Sequence, residues 1–297
     1  MRQKAGIMKF AVPLLLIASA GILPMFAQEG MKPAPVLNID REFIKEGKDA
    51  AHEKVEGEWA ATLRKANFPG HYFAFASISG PDEVFFVQPM ASFAANEEIE
   101  KAGEKEPLKG AVEQLGARDG ELRTGSRTLW AVYRPDLSYK PENVNMAKLR
   151  YVEVGTYLVK LGKEEDFVNG AKALLGGYGK GNIDVSVLGY RVTAGAPVGT
   201  YLFVTMMDSM KVVDGEPERR KAIAGAMGQD SYSQLMKSMG DVLVSVENNL
   251  FEVKPGMSYP PQAVVDADPG FWKPKSQTKT PAASGAGTIF PEQKKGQ

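Results

Sequence analysis

The chain contains no cysteine. That excludes disulfides, thiolate metal sites, a cysteine nucleophile and lipid attachment through a leader cysteine. Histidine is nearly absent too: His52 and His71 are the only two in 297 residues. Neither sign of charge dominates, because 36 Lys and Arg balance 36 Asp and Glu. There is therefore no general basic field to hold nucleic acid, and nucleic acid is not an expected partner. Beyond the first residues no long apolar run occurs, so stable membrane insertion is not expected either.

The beginning of the chain has the composition of an export signal. Arg2, Lys4 and Lys9 precede the largely apolar Phe10 to Leu23, and Phe26-Ala27 offers a cleavage point. Residues 1–27 are expected to be a signal peptide, with a short leader over 28–35 and a periplasmic or secreted bacterial destination. A cysteine-free exported chain fits that destination.

The remaining sequence reads as one plan used twice. Leu37, Ile39 and Phe43 alternate with Asn38, Asp40 and Glu42, the period-2 pattern of a half-buried strand, with Arg41 as the one break. Gly47-Lys48 ends the strand, and a helix runs from Asp49 to about Asn67. The segments 71–79 and 84–88 form a hairpin. A helix broken at Gly103 and Pro107 follows over 92–115, then a polar Gly-rich stretch over 116–127, then a strand from Thr128 to Tyr133. The same order returns from Tyr151. At a shift of 115 positions Leu37, Ile39 and Phe43 fall on Val152, Val154 and Leu158, and Gly47-Lys48 on Gly162-Lys163. The ends match as well, LWAVYRPDLSY (129–139) against LFEVKPGMSY (250–259).

Strand-helix-strand, twice per copy, is the split βαβ or ferredoxin-like order. The expected fold is α+β: two tandem ferredoxin-like (βαββαβ) units over 36–139 and 151–259, joined by a linker over 140–150. The bare sheet faces of such units cover one another, giving a pseudo-dimeric α/β barrel within one chain. A barrel closed this way needs no second copy, so a monomer is expected. From 260 to 297 the pattern stops. Phe271 and Trp272 are the residues expected to dock that tail, with disorder from about 276.

At Thr156-Tyr157-Leu158-Val159-Lys160-Leu161-Gly162-Lys163 with Phe167, the chain resembles the opening of NIPSNAP-type and antibiotic-biosynthesis-monooxygenase-type domains. In the first unit the same place reads Glu42-Phe43-Ile44-Lys45-Glu46-Gly47-Lys48, with His52 where Phe167 stands. The resemblance implies the dimeric α/β-barrel superfamily. That superfamily includes cofactor-free oxygenases of aromatic compounds, haem-degrading enzymes, small-molecule binders and proteins of unknown role. Haem-degrading members use a helix histidine as iron ligand, a role that would fall on His52. The Asn and Trp that accompany it in those enzymes have no counterparts here.

If Leu37, Ile39 and Phe43 face the helices, Asn38, Asp40 and Glu42 face the space between the two sheets, as do Glu153, Gly155 and Tyr157. That places a polar, ligand-lining set, Asn38, Asp40, Glu42, His52, Glu153 and Tyr157, in a cleft between the sheets. The main functional expectation is an exported protein binding a small molecule there. The alternative is a cofactor-independent oxygenase-like enzyme that uses a carboxylate or His52 as base on an aromatic substrate. The plain reading is that this face is partly wet, or that these carboxylates pair with Arg41, Arg150 or Arg191. No metal-ligand spacing of a known type is present, so neither metal nor cofactor is expected. No Gly-x-Ser-x-Gly elbow accompanies Ser77 or Ser79. GGYGKG (176–181) follows a helix rather than opening one, so it reads as a helix stop and not a phosphate loop.

Overall fold

The computed structural model describes residues 32–273. The expected signal peptide and the expected disordered end lie outside them. The first half runs β1 (Val36–Ile44), α1 (Asp49–Lys65), β2 (Phe73–Ser77), β3 (Glu83–Met90), α2 (Ala94–Gly103), α3 (Leu108–Gly120) and β4 (Arg123–Tyr133). Three single turns of 3-10 helix between residues 135 and 148 lead to β5 (Tyr151–Val159). The second half continues with α4 (Glu164–Lys180), β6 (Val187–Ala194), β7 (Thr200–Met207), α5 (Lys211–Asp214), α6 (Glu216–Met227), α7 (Gln229–Val242) and β8 (Leu243–Val253). Two short helices close the described chain, α8 (Gln262–Ala267) and α9 (Pro269–Trp272).

The eight strands form one closed antiparallel barrel in the order β1-β3-β2-β8-β5-β7-β6-β4. At a shift of 115, β1 and α1 coincide end to end with β5 and α4. Gly47 and Gly162 both turn the chain at positive φ, 72° and 77°, a conformation glycine adopts without a Cβ penalty. Within each half the strands pair along most of their length. Between halves the seams are short: β2 meets β8 over three residue pairs, and β4 meets β6 over four.

Side chains from all eight strands fill the barrel. Leu37, Ile39, Phe73, Phe75, Phe85, Leu129, Val152, Val154, Leu188, Leu202 and Phe251 belong to one buried cluster. This reverses the face expected from the sequence. Leu37 and Ile39 point into the barrel, and Asn38, Asp40 and Glu42 point outward, under the helices. The reason is solvent access. The barrel interior is packed with apolar side chains and could hold unpaired carboxylates only at a large desolvation cost. The gap between sheet and helices is open at its margins. Inside the barrel the remaining space is about 100 Å³ and is lined almost entirely by apolar side chains. The expected polar cleft between the sheets does not exist.

Boundaries also moved. The stretch 116–127, read from sequence as polar and Gly-rich with the helix ending before it and the strand starting after it, holds the end of α3 and the start of β4, and β8 begins six residues before Asn249. The glycines of 176–179 lie inside α4 rather than ending it. Gly177 is needed there because α6 crosses it: a Cβ would meet Met227 Sδ at 2.5 Å. The tail docks through Trp272, which is 1% exposed, packs edge-on against Phe73 at 5.6 Å between centroids, and donates from Nε1 to the Ala147 carbonyl at 2.9 Å. Its partner Asp268 pairs with Arg150 and Lys148.

Trp272→Ala is expected to lower unfolding stability by about 3–5 kcal/mol, the usual cost of deleting a buried large aromatic. Urea denaturation followed by far-UV circular dichroism checks this; a loss below about 1 kcal/mol would mean the tail is not part of the cooperative core.

Candidate functional site

The outward polar face of β1 meets α1 and α3. Asp49 opens α1, and from there His52, Val55, Glu56, Ala60 and Leu63 form the inward stripe at three- and four-residue spacing. On α3 the corresponding stripe is Leu108, Val112, Leu115 and Asp119, and Arg123 follows as the first residue of β4. These four elements, β1, α1, α3 and β4, bring together Glu42, His52, Glu56, Asp119 and Arg123. His52, Glu56 and Asp119 are 1%, 5% and 2% exposed, so this is an ionic cluster in a buried position.

Its geometry is ordered by Arg123. The guanidinium bonds one oxygen of each of two carboxylates, Glu42 Oε1 and Asp119 Oδ2, the latter at 2.8 Å. The other oxygens, Glu42 Oε2 and Asp119 Oδ1, lie 2.9 and 3.3 Å from His52 Nε2. One N–H cannot point at both. It donates to Glu42, and Asp119 Oδ1 is left with no hydrogen-bond donor. Glu56 makes no hydrogen bond or ion pair with any described residue. Burial, then the charges of Glu42 and Asp119, push its carboxyl well above the usual range, and Arg123 offsets this only in part. Asp119 is raised by burial and by Glu42, against Arg123 and His52. Asp40 is raised by burial and held back by the hydroxyl of Thr128.

The cluster forms one end of a pocket of about 480 Å³ between the sheet and the helices of the first half. Asn38, Asp40, Tyr72 and Gln88 continue its polar side; Trp59, Phe68, Phe86, Ile99, Leu108 and Val112 form the apolar side. The α2 helix covers the opening and buries none of its own side chains. The volume lies within the usual range for small-molecule sites.

The second half has a pocket in the equivalent place, about 590 Å³, which includes Glu153, Gly155, Tyr157, Tyr178, Arg219 and Met239. There the 115-residue counterparts of His52 and Glu56 are Phe167 and Ala171, and no buried ionic cluster forms. The six sequence-derived residues are thus divided. Asn38, Asp40, Glu42 and His52 belong to the first pocket or its floor; Glu153 and Tyr157 belong to the second. Burial raises both Glu153 and Tyr157. Of the arginines expected to pair with the carboxylates, Arg41 binds Glu83 instead and Arg150 binds Asp268. The partner in the site is Arg123. Glu56, Asp119 and Arg123 were not singled out from sequence. The stripe 108-112-115-119 on α3 was the available signal, interrupted by Gly116 and Gly120.

No protein-family model matches the chain, and no curated protein matches it. Several solved structures are similar in arrangement. A candidate monooxygenase from Fusobacterium nucleatum is 10% identical at a TM-score of 0.49, over 75% of this chain and 94% of that one. An anthrone oxidase-like protein is 12% identical at 0.49, over 74% and 91%. A mutant chlorite dismutase from Candidatus Nitrospira defluvii, in complex with cyanide, is 9% identical at 0.45, over 80% and 96%. At these identities the likeness says nothing of chemistry, and the fold rests on the strand pairing itself.

Two measurements probe the cluster and its surroundings. Arg123→Met is expected to cost about 3–5 kcal/mol in urea unfolding, because it leaves buried carboxylates uncompensated. Glu56→Gln is expected to be neutral or stabilising, because it removes a buried charge that has no partner. Equal losses in the two variants would contradict this asymmetry. The other histidine, His71, stacks on Tyr259 at 4.6 Å with Nδ1 buried and unpartnered, and burial depresses its pKa below the usual 6.5. The unfolded chain then binds a proton that the folded chain refuses. Stability should be full above about pH 6.5 and fall as the pH drops toward the folded value. His71→Leu should flatten that slope between pH 7 and 5.

Proposed function

We propose that the protein binds a small, aromatic-sized molecule in the pocket of its first half. One observation carries this reading. Four side-chain polar atoms among the described residues are buried without a hydrogen-bond partner, and three of them, Asn38 Oδ1, Tyr72 Oη and Asp119 Oδ1, belong to residues of this one pocket. Buried polar groups in folded proteins are nearly always satisfied, so a convergent unsatisfied set argues for a ligand that satisfies them. Two of the three, Asn38 Oδ1 and Asp119 Oδ1, are pure acceptors, so the ligand presents hydroxyl or amine donors to the polar side of the pocket. Its body lies against Trp59, Phe68 and Phe86.

A second reading extends the first: an oxygenase-like enzyme acting on an aromatic substrate. What favours it is the position of carboxylates at the end of an apolar slot, where a ligand hydroxyl proton is within reach of a base. In both readings the two halves are copies of one ferredoxin-like unit packed as a pseudo-dimer, the matched bounds of β1–α1 and β5–α4 being the support. The barrel closes within one chain, consistent with a monomer. The charged and apolar N-terminal segment supports export to the periplasm or beyond.

Val112→Trp fills the pocket from the α3 side. In a thermal-shift screen of phenols and aromatic amines, compounds that raise the melting temperature of the parent chain are expected to lose the effect in this variant. They should keep it in Glu153→Gln, which alters only the second pocket. Hits that survive Val112→Trp would move the binding site elsewhere.

A further inference from the structure

The ionic cluster has a geometry that hydrogen bonding among its own members leaves incomplete. We propose that Glu42, His52, Glu56 and Asp119 form a binding site for one divalent first-row transition cation, of the Mn²⁺ or Zn²⁺ class. One ligand atom from each of the four residues falls within a group no more than 4.8 Å across. Neighbouring ligands around an ion at about 2.0–2.2 Å stand about 3 Å apart. The separations of 2.9 and 3.3 Å from His52 Nε2 to Glu42 and Asp119 match that spacing.

Charge points the same way. Among the described residues Arg123 is the cation bonded to these carboxylates, and it reaches Glu42 and Asp119 but not Glu56; a divalent ion would supply the missing counter-charge. Arg123 does not compete for the site. It holds the far oxygen of Glu42 and of Asp119, fixing both carboxylates with their remaining oxygens turned toward His52.

The independent observation is the state of the remaining groups. Glu56 is 5% exposed and has no partner among the described residues, and Asp119 Oδ1 is buried without a donor. A network that existed only to neutralise itself would not leave these two open. A single imidazole with three carboxylates suits Mn²⁺ or Zn²⁺ better than Mg²⁺ or Ca²⁺, which take all-oxygen shells. On binding, the Nε2 proton of His52 passes to solvent and the nitrogen lone pair faces the ion. The ion would sit at the carboxylate end of the pocket, within reach of a donor group on the proposed small molecule. In that respect the inference deepens the ligand reading above.

The test uses the full chain stripped with EDTA and titrated calorimetrically with MnCl₂, ZnCl₂, MgCl₂ and CaCl₂. The expected result is one equivalent of Mn²⁺ or Zn²⁺ bound, at least tenfold tighter than Mg²⁺ or Ca²⁺. Glu56→Gln should weaken it tenfold or more while the circular dichroism spectrum is unchanged. Asp119→Asn serves as the second variant should Glu56→Gln fold poorly. Glu153→Gln, in the second pocket, should bind the ion as the parent does. Absence of stoichiometric binding, or binding undiminished in both Glu56→Gln and Asp119→Asn, overturns the inference. Aromatic binding that persists without any metal uptake would overturn the cation site and leave the ligand reading standing. Metal uptake with no aromatic binding does the reverse.

Discussion

Closure of the barrel is the constraint from which the rest of the molecule follows. Eight strands that leave no free edge enclose an interior dominated by apolar side chains, where a charged pair such as Arg41 and Glu83 is held only by mutual neutralisation. Each strand therefore turns one apolar row inward. Its other face then lies under the helices with whatever side chains remain. Asn38, Asp40 and Glu42 are on the helix side for that reason. The helices inherit the task of satisfying them, and His52 on α1 and Asp119 with Arg123 at the α3–β4 junction accomplish most of it.

The two halves solve this shared geometry differently. In the second, Gly155, Tyr157, Phe167 and Ala171 occupy the places of Asp40, Glu42, His52 and Glu56, and the space beneath the helices is aromatic and Met-rich with no buried ion pair. In the first, the same places carry charge. Since both halves contribute equally to the barrel, the difference cannot be ascribed to the fold. It lies in the layer the fold leaves free, where substitutions do not disturb the common core.

Much of the architecture was legible in the sequence. The alternation at β1 and β5, the glycine turns at 47 and 162, and the order of elements depend on local chemistry that a sequence displays directly. The direction of each strand face was not legible. Period-2 alternation reports that two faces differ, not which one turns inward, and an apolar face suits a barrel interior and a helix layer equally well. The same ambiguity dispersed the site. Asn38, Asp40, Glu42 and His52 were identifiable, but Glu153 and Tyr157 were grouped with them across a cleft that the core fills. Asp119 and Arg123 were hidden in a polar, Gly-rich segment, and only contact with His52 and Glu42, far away in the chain, gives them meaning.

The brevity of the two seams has a further consequence. β2 and β8 share three residue pairs, and β4 and β6 four, whereas β1–β4 and β5–β8 each share nine. The chain is thus two half-shells, each paired at length within itself, that meet along two short joins around one shared core. A half-shell pairs with the other half of its own chain through edges that another molecule's half presents identically. What keeps the exchange intramolecular is proximity: the turns over 135–148 and the docking of Trp272 on Phe73 hold the partner half at a high effective concentration. At high protein concentration the same edges define the route by which two chains would trade halves and close two mixed barrels with every strand pair preserved.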